Sequence, residues 1–177
     1  MSTPSLALTL GLCLCAATTG RAQTAPVLDL AGATRLAALA MREARTRAAG
    51  GSIAVVDTGG HLLALQRLDG TFPAAAAVSI EKARTAATFH RPTRDFENAI
   101  KGGRHALLGV DVMTPLQGGV PLVVNGVVVG AIGVSGAHSA QEDDEIAQAA
   151  VSAFAAPAMP TAATDTFYLP AERVTQA

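Results

Sequence analysis

Tryptophan is absent from this chain, tyrosine occurs once, and aromatic residues make up only 3% of its 177 positions. A core must therefore be built from Ala, Val, Leu and Ile, whose small side chains let helices lie close to a sheet. Cysteine occurs twice, at Cys13 and Cys15, both inside one N-terminal apolar run. The formal net charge is only −1, so the overall balance gives no support to a nucleic-acid partner. Strong catalytic signatures are missing as well. No GxGxxG opens a helix after a strand, and there is no GxxxxGK[ST], HExxH or GxSxG. The four histidines include no i, i+4 pair of the kind that holds zinc. Ser135, in "GVSG", falls one residue short of a nucleophile elbow.

What the N-terminus does contain is "LALTLGLCLCAA", Leu6 to Ala17. This run is too short for a membrane span and suits the h-region of a signal peptide. A small-residue site follows in "TTGRAQ", so residues 1–22 are expected to leave as a signal, although "MSTPS" lacks the usual cation. The mature chain would then be periplasmic or secreted, free of thiols, and without a membrane span. Cys nucleophiles and Cys-ligated metals are excluded from it.

Residues 23–156 read as one domain, and 157–177 as a C-terminal tail. Leu28 to Ala49 has helical spacing, with Asp29 as its N-cap and Gly50-Gly51 as its stop. "SIAVVD", "TGG" and "HLLALQRLD" predict a hairpin whose strands are apolar on both faces. An Ala-rich helix follows from Phe72 to Arg91, with Pro73 in its first turn. Thr93 is expected to cap a shorter helix closed by Gly102 and Gly103, and "RHALLGVDVMT" reads as a loop. "VPLVV" and "VVVGAIGVSG" flank Asn125-Gly126, a strong hairpin signal. Ser139 and Glu142 predict a capping box opening the last helix. The order gives an α+β layered domain, with helices covering both faces of the sheet. An Ala-rich domain with so few aromatics has much apolar surface to cover, and a homo-oligomer is one way to cover it.

The segment "PLQGGVPLVV" places two glycines and a proline at the mouth of a strand, which raises the question of what this bare backbone is kept open for. Arg67 and Asp69 interrupt an apolar alternation at a strand end, where a guanidinium can grip a carboxylate or simply pair with Asp69. Glu142, Asp143, Asp144 and Glu145 read as a solvated helix start, favoured by the dipole. Lys82, Arg84, Arg91, Arg94, Lys101 and Arg104 make the middle third locally basic. That cluster suits haem propionates or a small carboxylate, unless Glu81, Asp95 and Glu97 simply balance it on the helix surface. His61 reads as a solvent-exposed turn residue and His138 as a support for its turn. A haem iron needs only one axial side chain, so His90 and His105 stay open as ligands.

Four blocks, "SIAVVDTGGHLLALQRLDG", "EKARTAATFHRPT", "GGVPLVVNGVVVGAIGVSGA" and "QEDDEIAQAA", together resemble the HbpS/GlcG-like family of haem-binding and related proteins. The resemblance spans Val27 to Ala156. It implies a profilin-like three-layer arrangement, a central antiparallel sheet with helices on both faces, and homo-oligomers from dimers to octamers. It also implies a ligand pocket formed by Arg67, Asp69, Lys82, Thr85, Gly118, Gly119, Val120 and Pro121, with the glycine amides free to act as an anion nest. The cofactor expected from it is haem, bound for storage, sensing or protection. The resemblance matches no ligand position, and the basic surroundings of His90 alone place it ahead of His105 as the ligand. The alternative is a GlcG-like binding protein or enzyme for a small carboxylate or hydroxy acid. No pattern in the chain decides whether it is an enzyme.

Overall fold

The computed structural model describes residues 27–155. The signal peptide and the C-terminal tail expected from the sequence lie outside the described residues. The elements in order are α1 (Leu30–Thr46), β1 (Ser52–Asp57), β2 (Leu62–Arg67), α2 (Ala75–Phe89), α3 (Thr93–Lys101), a 3-10 helix (His105–Gly109), β3 (Gly119–Val124), β4 (Val127–Ser135) and α4 (Ala140–Ala155).

Asp29 caps α1 as its sequence predicts, its Oδ1 accepting from the Gly32 amide at 2.8 Å. Leu36, Ala37, Ala40 and Ala44 form the buried stripe of that helix. Each hairpin has its own local cause. In the first, the Asp57 carboxylate accepts from the amides of Gly59 and His61 and so holds the turn. In the second, Asn125 and Gly126 both take positive φ, +51° and +79°, as a tight turn that follows strand twist requires. The hairpins join through β1 and β4, giving a fully antiparallel sheet of order β2-β1-β4-β3. Pro121 sits on the edge strand β3, where a missing N–H costs least.

Alternation sorts the central strands between two layers. Ile53, Val55, Ile132 and Val134 face α1 and α4, together with Leu36 and Ile146. Ala54, Val56 and Ala131 face α2, meeting Ala83, Ala86 and Ala87. The second layer is made almost wholly of alanine, so α2 lies very close to the sheet. Gly119 and Gly133 are cross-strand partners beneath it. A Cβ on Gly133 would stand 2.0 Å from the Ser79 carbonyl, and one on Gly119 would stand 2.3 Å from the Lys82 carbonyl. The expectation of helices on both faces of an antiparallel sheet is met.

Some boundaries differ from the sequence reading. The Pro73 turn lies before α2, which starts at Ala75. Residues His105–Gly109 coil into a 3-10 helix where a loop was expected. Thr93 does not cap α3 with its side chain, because its hydroxyl accepts from the Gly119 amide at 2.8 Å instead. The capping box is half formed. Ser139 Oγ accepts from the Glu142 amide, but the Glu142 carboxylate turns one residue earlier, to the amide and ring of His138.

Between the 3-10 helix and β3 the chain is held by side chains rather than by a ladder. Thr85 Oγ1 accepts from the Thr114 amide at 2.9 Å, and Glu97 accepts from both the amide and the side chain of Gln117. Burial alone would raise the Glu97 carboxyl, but the Lys101 and Gln117 donors outweigh it and hold the group below its ordinary value. A depressed folded-state value means stability that is present above the unfolded value and lost as pH falls through the folded one. Glu97→Gln is therefore expected to cost about 1–2 kcal/mol near neutral pH. The wild type should give up that increment on acidification while the variant does not. Urea midpoints measured across pH 3 to 7 check this, and parallel curves for the two proteins would refute it.

Candidate functional site

Lys82 stands in the middle of α2 with its side chain almost wholly buried. Its Nζ donates to the Val134 carbonyl at 2.9 Å and to Asp143 Oδ2 at 2.8 Å. Asp143 belongs to the first turn of α4, in the layer on the other side of the sheet. The two layers meet here because β3 begins with bare backbone. Gly118 has φ +115°, and a Cβ there would fall 2.5 Å from the Val134 carbonyl, 2.9 Å from Asp143 Cβ and 3.0 Å from Lys82 Nζ. The glycine pair is kept open for an internal ion pair and for the close approach of α2.

That corrects one expectation. The Gly119 amide is not free to form an anion nest, because Thr93 Oγ1 takes its hydrogen. The acidic run of α4 is corrected too. Asp143 and Asp144 are buried, 5% and 4% exposed, where a solvated helix start was expected. Each is matched by a distant cation, Lys82 for Asp143 and Arg94 for Asp144. Burial pushes the Asp143 carboxyl above its usual range, against the pull of Lys82 and of the Ala137 and Gly136 amides.

Beside this ion pair lies a pocket of about 320 Å³, lined by Phe72, Val78, Lys82, Leu116, Ser135 and the first residues of α4. Ser135 is 4% exposed, and its hydroxyl makes no hydrogen bond among the described residues. Among the residues picked out from the sequence, Lys82, Gly118 and Gly119 come together at this point. Thr85 lies one turn further along α2 and braces the Thr114 segment. Val120 is buried in the α1/α4 layer and Pro121 is half-buried on the edge strand. Arg67 and Asp69 stay exposed at the end of β2, the opposite edge of the sheet, and do not line the pocket. Asp143 and Ser135 complete the site, although the sequence reading took Asp143 for part of a solvated helix start and set Ser135 aside for want of a full nucleophile elbow.

The basic cluster is largely neutralised. Lys82 pairs with Asp143, Arg84 with Glu81, Arg91 with Asp95, Arg94 with Asp144 and Lys101 with Glu97. Arg104 has no carboxylate partner among the described residues. His90 closes α2 in the left-handed region, φ +54°, and is exposed. His105 opens the 3-10 helix, also exposed. His61 and His138 are tied to Asp57 and Glu142 in their turns. Among the described residues, no group of three or more His, Cys, Asp or Glu side chains gathers to hold a metal ion.

Comparison with known proteins agrees with this architecture. The chain is 45% identical to Protein GlcG of Escherichia coli K12 over 113 residues, 64% of this chain and 84% of that protein. Among solved structures, Klebsiella pneumoniae protein ORFY superposes with a TM-score of 0.71 at 29% identity, covering 78% of this chain and 98% of ORFY. A double mutant of Streptomyces reticuli HbpS gives 0.68 at 29% identity, covering 85% of this chain and 98% of that one. The family model described as haem degrading protein HbpS-like matches residues 28–152. With most of its length matched in this way, the chain belongs to the HbpS-like family.

Proposed function

We propose that this protein is an exported haem-binding protein, and that haem docks on the surface of the 104–118 segment with His105 as its protein ligand. Export is supported by the Leu6–Ala17 run and the small-residue site after it. Haem is supported by the description of the family. The observation that carries the site is the company His105 keeps. Its imidazole is exposed, Leu108 and Val112 close by are 64% and 73% exposed, and Arg104 precedes it without a carboxylate partner among the described residues.

These residues fit the group. A haem needs one imidazole for iron, apolar surface for the porphyrin face and a cation for a propionate. His90 has less to offer, because Arg91 beside it is engaged with Asp95 and no large exposed apolar side chain lies near it in the chain. The Lys82 pocket is the wrong place for a porphyrin. Its volume is at the bottom of the roughly 300–1,000 Å³ range of ligand sites, where a tetrapyrrole needs the upper end.

The test is a haemin titration of the mature chain, residues 23–177, followed by the Soret band. A saturable, sharpened band is expected for the wild type and for His90→Ala, with affinity lowered at least tenfold in His105→Ala. A featureless, unsaturable rise would overturn haem binding. An unchanged titration in His105→Ala would overturn the assignment of the ligand.

A further inference from the structure

The pocket beside Lys82 has its own chemistry, separate from any haem surface. Its polar wall offers donors and very few acceptors. Lys82 Nζ carries three hydrogens and spends two, on Val134 and Asp143. Ser135 lines the pocket as a residue only 4% exposed, and its hydroxyl, with no partner among the described residues, opens to the pocket and is not sealed in the core. Ser139 and Ala140 place the start of the sixteen-residue α4 on the same wall. Asp143, by contrast, has both oxygens occupied, Oδ2 by Lys82 and Oδ1 by the Ala137 amide. The other wall is apolar, formed by Phe72, Val78 and Leu116, of which Phe72 and Leu116 are about half exposed at the mouth.

Charge decides what kind of acceptor fits. Lys82 is already balanced by Asp143, so the pocket holds no free cation. Around it the first two turns of α4 carry four carboxylates, Glu142, Asp143, Asp144 and Glu145. Lys82 meets Asp143, Arg94 meets Asp144, Arg47 meets Glu145, and only the exposed His138 meets Glu142. A small carboxylate placed against Ser135 and Lys82 would face Asp143 at close range with no cation of its own, which costs more than one hydrogen bond returns. An ammonium group would have to compete with Lys82 for Asp143, the one carboxylate in the lining, and would meet the Lys82 charge at close range.

We propose that this pocket binds a small uncharged carbonyl compound, a ketone, aldehyde or amide, with a short apolar body. Its carbonyl oxygen accepts from Ser135 Oγ and from the third hydrogen of Lys82. Its alkyl end lies on Val78 between Phe72 and Leu116. The volume suits a molecule of this size.

Four-carbon probes that share one shape class and differ in the head test this directly. The ¹⁵N-labelled mature chain is titrated with 2-butanone, butyramide, butyrate and butylammonium, and the amide shifts of Ala137, Ser139 and Ala140 are followed. Butanone and butyramide are expected to saturate in the millimolar range, with butyrate and butylammonium at least tenfold weaker. Ser135→Ala, which removes a hydroxyl that no described residue bonds, should leave the melting temperature within a few degrees and weaken both neutral probes about tenfold. Tighter binding of butyrate than of butyramide would overturn the proposal in favour of an anion site. Unsaturable shifts with all four probes, or unchanged binding in Ser135→Ala, would overturn it outright. A failed haemin titration has no bearing on this result, since the probes report on a different wall of the molecule.

Discussion

Lys82→Ala is expected to destabilise the protein by about 3–5 kcal/mol, the range for removing one partner of a buried ion pair. The cost arises mainly from what is left behind. Asp143 would remain 5% exposed, pinned by the Ala137 amide, with no cation to offset its charge. Burial already pushes its carboxyl upward, so in the variant it should take up a proton at a higher pH still. The sign of the resulting pH dependence follows. A carboxyl whose folded-state value lies above its unfolded value binds protons more tightly when folded, so the variant should gain stability as pH falls through that window. The double variant Lys82→Met/Asp143→Leu should recover much of the loss, because an apolar pair satisfies the cavity without either charge. Urea unfolding at pH 5 and pH 8 measures all three proteins. A single variant as stable as the wild type at pH 8 would mean that the pair does not hold α2 to α4.

Gly133→Ala should be at least as damaging. The added Cβ would sit 2.0 Å from the Ser79 carbonyl and 2.6 Å from the Ala83 amide, so α2 must lift off the sheet. Both obstacles are helix backbone and cannot rotate away. Overpacking of this kind costs about 1–3 kcal/mol and occasionally more. Here the displaced helix also carries Lys82, so a loss of about 3 kcal/mol or more is expected. Gly119→Ala, facing the Lys82 carbonyl at 2.3 Å, should behave alike. Neither position has a left-handed φ, so a large effect at both reports helix approach and not backbone strain. Thermal melts of the two variants within a few degrees of the wild type would refute the close packing of α2.

Much of the fold was legible because its causes are local. Asp29 caps α1 with its own side chain, and Asn125-Gly126 turns the second hairpin with its own backbone. The apolar residues on both faces of "SIAVVD" required cover on both sides of the sheet, and α1 and α2 supply it. Ile146, Ala147 and Ala150 recur at helical spacing in the sequence, and they form the apolar part of the buried face of α4.

The site was only half legible. Lys82 and the glycine pair stood out by resemblance, but their partner was hidden in "QEDDEIAQAA". An acidic first turn suits the helix dipole whether it is wet or buried, so composition does not separate the two cases. Burial there depends on cations that arrive from α2 and α3, 61 and 50 residues away in the chain. Arg67 and Asp69 lie apart from the Lys82 pocket. Their place at a strand end was correct, but sequence does not tell which edge of the sheet a strand occupies, and β2 lies on the edge away from β3.

By itself, then, the sequence determined the elements, their layers and the absence of thiol chemistry from the domain, since these rest on propensity, periodicity and residue type within short windows. Only the tertiary structure decided that Lys82 and Asp143 pair across the mouth of β3, that Gly119 and Gly133 make room for α2, and that Ser135 faces a pocket with its hydroxyl unspent. Each of these depends on the pairing of β3 with β4 and on how deep α2 settles. Such long-range distances are set by the packing of the whole domain and leave no mark in local sequence.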